Sequence, residues 1–100
     1  MAKGMKREQF IKSLSFPGPP KGMDDHLLAL WFDARGDWEG SHETIQDLSG
    51  LKAAWIHAYL HRKEGDLSNA AYWYQLAGRK MSTESPDEEW EEILSVLVDQ

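Results

Sequence analysis

One hundred residues, 41% hydrophobic and 28% charged, describe a single small globular domain with room for a modest core. The absence of cysteine excludes a disulfide framework, an iron–sulfur cluster, a thiolate zinc site and a cysteine nucleophile. The net charge of −6 is uneven, +4 over residues 1–22 and −10 over the rest, and so acidic a body argues against nucleic acid as a partner.

The chain opens MAKGMKREQFIKSL, basic but without the apolar stretch and cleavage site of a secretory signal. No apolar run reaches the roughly 18 residues of a membrane span, so no membrane partner and a cytoplasmic location are expected. Residues 6–14 place Phe10, Ile11 and Leu14 on one face, enough for a short helix at best. Pro17, Pro19 and Pro20 then fix their own φ and lack amide donors, which predicts an extended linker. The expected organisation is a basic N-terminal arm with a Pro-rich linker over 1–23 and a helical domain over 24–100.

From residue 24 onward the punctuation is that of helices. Asp24 or Asp25 caps a helix to about Arg35, with Leu27, Leu30, Trp31 and Ala34 on one face. Gly36 stops it and Asp37 caps the next, whose stripe is Trp38, Ser41, Ile45 and Leu48. After Ser49-Gly50 a helix runs from Leu51 to Glu64 and ends at Gly65. Asp66 caps another, with Leu67, Ala70, Trp73, Tyr74 and Ala77 inward and Tyr72 outward. Ser85-Pro86-Asp87-Glu88 is a capping box with proline at the first helical position, opening a helix that buries Trp90, Ile93, Leu94 and Leu97. The acidic stretch 84–99, with the pairs Glu88-Glu89 and Glu91-Glu92, reads as solvated surface. No alternating pattern long enough for a strand occurs, so the fold class is all-α with about five helices. Links of a few residues predict two antiparallel helix hairpins, packed by the C-terminal helix.

The two hairpin turns, Arg35-Gly36-Asp37-Trp38 and Glu64-Gly65-Asp66-Leu67, are alike and 29 positions apart. The stretch from Gly65-Asp66 through Ala70, Tyr74 and Ala77 resembles the second half of a tetratricopeptide repeat. That likeness covers residues 24–80 and implies repeat-like hairpins, with small residues at close helix contacts and an aromatic between units. The spacing of 29 is shorter than that family's 34, and neither unit closes on a proline. The string WIHAYLHRKEGDLSNAAYWY also looks like a stretch of small bacterial proteins with no assigned activity.

Chemistry concentrates on the helix over 51–64. At about 100° per residue, Lys52 and Lys63 point one way with Tyr59 between them, which predicts a wet side. His57, His61 and Glu64 share nearly the opposite side, flanked by Ala53, Ala54 and Ala58, whose small side chains imply close helix contact. Antiparallel packing brings His42 toward them. Histidines at i and i+4 with a carboxylate at i+7 suit Zn²⁺ or Fe²⁺, with His42 a third nitrogen ligand. The alternative is a set of neutral histidines hydrogen-bonded to neighbouring groups, holding helix register. His42-Glu43-Thr44-Ile45-Gln46 lacks the second histidine of the zinc-protease pattern. Arg62, between two helix ends, reads as part of a local salt-bridge network.

Two functions follow as expectations. One is a non-enzymatic module that needs no cofactor and binds a protein or peptide in a groove lined by Trp31, His42, Trp55, His57, Tyr59, His61, Arg62, Asn69 and Tyr72. The other is a metal-dependent enzyme with Zn or Fe held by His42, His57, His61 and Glu64.

Overall fold

A computed structural model describes residues 5–98, so the first four residues of the basic arm and the last two of the helical domain lie outside it. Among the described residues, six α-helices follow in order: α1 Arg7–Ser13, α2 Asp25–Ala34, α3 Trp38–Ile45, α4 Leu51–Glu64, α5 Leu67–Leu76 and α6 Pro86–Leu97. No strand occurs among the described residues. The count exceeds the expected five by α1.

Local chemistry sets the boundaries. The Asp24 carboxylate accepts from the amides of His26 and Leu27, Asp37 from Gly40, and Asp66 from Asn69. Each satisfies donors that an α-helix leaves unpaired in its first turn. Ser85 and Glu88 close the reciprocal capping box of α6. Gly36 and Gly65 sit at φ +81° and +92°, the left-handed conformation that ends a helix with least strain when no Cβ is present. A Cβ on Gly65 would meet nothing within 4 Å, so the constraint there is purely conformational. Gly65→Val should therefore destabilise by about 1–2 kcal/mol through backbone strain alone. Urea denaturation checks this, and an unchanged midpoint would contradict the left-handed assignment.

Helix α4 is the centre of the fold. Every residue from Ala53 to His61 is buried, because α2, α3, α5 and α6 all pack on it. The heaviest packing joins α4 to α5 and α2 to α3. The wet side expected around Tyr59 is consequently absent. Tyr59 is 2% exposed, and its hydroxyl donates to Asp33 Oδ2 of α2 at 2.5 Å. Lys63 reaches the other oxygen of Asp33 at 2.9 Å, so the lysine stem covers the site while its ammonium group stays near solvent. Leu67, expected inward, is 55% exposed at the first position of α5.

Residues 5–23 are continuous with this core. Phe10 is fully buried with its ring 6.0 Å from that of Trp90. The Trp31 indole donates to the Ser13 carbonyl at 3.1 Å, and Arg35 donates to the carbonyls of Leu14 and Phe16. Arg7 pairs with Glu91, which lays the basic segment on the acidic helix α6.

Candidate functional site

The structure scatters the sequence-derived candidates among different surroundings. Trp31, Trp55 and Tyr59 belong to the core, each less than 5% exposed, and Tyr59 also borders an open cleft with Asp33 and Lys63. Tyr72 faces solvent, 57% exposed. His42 of α3, His57 and His61 of α4, Glu64 at the end of α4 and Asn69 in the first turn of α5 come together where these helices meet.

The geometry follows from helical spacing. His57 and His61 are one turn apart, so their rings stack with centroids 4.9 Å apart. Ser41 is buried in α3 and bonded to the Ala29 carbonyl at 2.7 Å, which fixes the face of α3 and brings the neighbouring His42 toward α4. His42 Nε2 then lies 3.1 Å from His57 Nε2. One ring nitrogen from each of His42, His57 and His61 lies within 4.8 Å of the others. Glu64 Oε1 is 2.7 Å from His61 Nδ1, which leaves Nε2 of that ring for other partners.

Two indoles flank the imidazoles. Trp38 stacks on His42 at 5.0 Å and 8°, and Trp73 stacks on His57 at 3.8 Å and 13°. Trp38 is itself pinned by a 2.8 Å bond from its indole nitrogen to the Leu60 carbonyl. Burial pushes the His57 pKa down to about 4, and the adjacent His42 and His61 push the same way. His42 is lowered too, first by burial and then by His61. Neutral imidazoles with free lone pairs are the form that binds metal ions.

Arg62 turns away from this cluster to a second buried site. Glu89, fully buried, accepts from Arg62 Nη2 at 2.7 Å and Nε at 3.1 Å on one oxygen. Its other oxygen accepts from the Tyr74 hydroxyl at 2.6 Å and the Trp55 indole at 3.0 Å. Burial, followed by the bond to Glu89, raises the Tyr74 pKa, so the phenol remains a donor. This corrects the expectation that Glu89 lies on a solvated face. The sequence did hold a signal: Glu89 precedes the buried Ile93 by one turn, and a buried Trp and Tyr each need a hydrogen-bond partner. All four donors to Glu89 meet an acceptor, as a structural network requires.

A cleft of about 1340 Å³ lies between the N-terminal segment and the ends of α4 and α6, and none of the three clustered histidines lines it. Comparison with protein-family models, with curated proteins and with solved structures gives no match.

Proposed function

We propose that this chain binds a divalent transition metal, Zn²⁺ or Fe²⁺, through His42, His57 and His61. The observation that carries this is the convergence of one nitrogen from each ring within 4.8 Å, with two of them 3.1 Å apart. His42 and His57 can share one N–H···N bond and His61 Nε2 meets the Asn69 amide at 3.4 Å, whereas one cation would draw on the lone pairs of all three rings at once. Tetrahedral ligands bound at about 2.0–2.1 Å stand roughly 3.3 Å apart, close to the 3.1 Å between His42 and His57. Glu64 acts behind the ligand set, accepting from His61 Nδ1–H so that Nε2 faces the metal. The α2–α3 and α4–α5 pairs are read as two antiparallel hairpins with tetratricopeptide-like turns, and the metal lies where α3 of the first meets α4 of the second.

Melting of the purified chain with Zn²⁺ and with a chelator tests the proposal. At a free zinc concentration a hundredfold above Kd, binding to the native state adds about 2.7 kcal/mol, a rise in Tm of roughly 10–20 °C for a domain this size. His42→Ala should abolish that rise. A Tm indifferent to both zinc and chelator would sink the metal site.

A protein-binding role has one observation in its favour. Tyr72 and Leu76, one turn apart on α5, are 57% and 47% exposed and form an apolar pair on its outer face. If they contact a partner, Tyr72→Ser leaves the Tm unchanged, and a lowered Tm would assign Tyr72 to packing instead.

A further inference from the structure

We propose that Asn69 is the fourth protein ligand of this metal, so that the site is closed and the ion staples α3, α4 and α5 together instead of activating a substrate. This rests on the three-histidine reading above and goes beyond it by deciding what the metal does. The side-chain amide of Asn69 lies 3.4 Å from His61 Nε2, the nitrogen that Glu64 leaves free. The edge of a tetrahedral nitrogen and oxygen site is roughly 3.3 Å. His42 to His57 at 3.1 Å and His61 to Asn69 at 3.4 Å are both edges of that size.

The amide can serve either state of the site. Without metal, its NH₂ group faces the lone pair of His61 Nε2 as a donor. Once a cation takes that lone pair, the NH₂ group loses its acceptor. A half-turn about the terminal bond of the nearly isosteric amide then brings Oδ1 into the same position, now as a ligand. Asn69 is held for this role: its backbone amide donates to the Asp66 carboxylate at 3.3 Å, in the first turn of α5. The resulting donor set, three imidazoles and one neutral oxygen, suits Zn²⁺ or Co²⁺ better than a thiophilic ion. Four protein donors leave no open position for a water or substrate, which is the difference between a structural and a catalytic zinc site.

Cobalt(II) substitution followed by azide titration distinguishes a closed site from an open one. The wild-type cobalt protein should show the intense visible band of four-coordinate Co²⁺, and azide should not move it. In Asn69→Ala a solvent position opens, azide shifts the band, and zinc affinity measured against a chromophoric chelator falls about tenfold or more. Asn69→Asp, which keeps the oxygen and adds a charge, should bind zinc more tightly than wild type and remain inert to azide. If azide shifts the wild-type band as it does that of Asn69→Ala, or if all three proteins bind zinc equally, Asn69 is not a ligand. A wild type that gives no cobalt band at all would overturn the three-histidine site itself, a result distinct from either of those.

Discussion

Glu89→Ala should be the most damaging single substitution in this chain. The carboxylate is fully buried and receives four hydrogen bonds, two of them from Arg62, whose side chain is only 14% exposed. Removing it leaves a guanidinium charge, a phenol and an indole N–H without their acceptor. Breaking a buried pair from one side typically costs about 3–5 kcal/mol. Domains of this size hold only about 5–15 kcal/mol in total, so much of the stability should disappear. The expected drop in Tm is on the order of 15 °C or more. Glu91→Ala, two residues on, removes only the half-exposed ion pair to Arg7 and should change stability by less than about 1 kcal/mol. Thermal denaturation of the two variants side by side checks the contrast. Equal losses would mean that Glu89 is not sequestered as described.

Acid should destabilise the metal-free protein across a defined window. The His57 pKa is about 4 in the folded chain and near 6.5 when unfolded. Above pH 6.5 the imidazole is neutral in both states and contributes no pH dependence. Between pH 6.5 and 4 the unfolded chain takes up a proton that the folded chain refuses, so stability falls as pH falls. Below pH 4 both states are protonated and the loss is complete, at roughly 3 kcal/mol. His42, also lowered, acts in the same direction. Urea midpoints at pH 7 and pH 4.5 measure the effect, and His57→Gln should flatten the part of the slope due to this residue. The same slope in His57→Gln and wild type would place the titration elsewhere.

The helix boundaries were legible because each is set by residues adjacent in sequence. The 51–64 helix, its Gly65 stop and the aspartate caps were all readable from neighbours a few positions away, as helix termini generally are. The histidine face was legible for a related reason. His57 and His61 share a helical face by spacing, and a facing helix was the natural place for a third ring.

What covers each face was not legible. A helical wheel groups side chains without saying what meets them, and α4 is met on every side, so the wet side inferred from Lys52 and Lys63 does not exist around Tyr59. Asp33, the acceptor for Tyr59, is 26 residues away, and Glu89, the acceptor for Trp55, is 34 away. Such pairings follow from tertiary packing: the place of Glu89 one turn before Ile93 sets it apart among the acids of 87–92 without saying which donors it meets. Glu91 and Glu92 do lie at the surface, paired with Arg7 and Arg79. The stacking of Trp73 on His57 was missed for the same reason, since α5 meets α4 there, whereas Trp38 and His42 stand one turn apart on α3, a pair that spacing alone could have shown.

Crystals of the wild-type protein grown with zinc, with data collected across the zinc absorption edge, test the central claim most directly. The expected result is one anomalous peak bounded by ring nitrogens of His42, His57 and His61, each at about 2.0–2.1 Å. An anomalous map with no peak among those three rings, or with zinc only on the exposed carboxylates of Glu64 and Asp66, would contradict it.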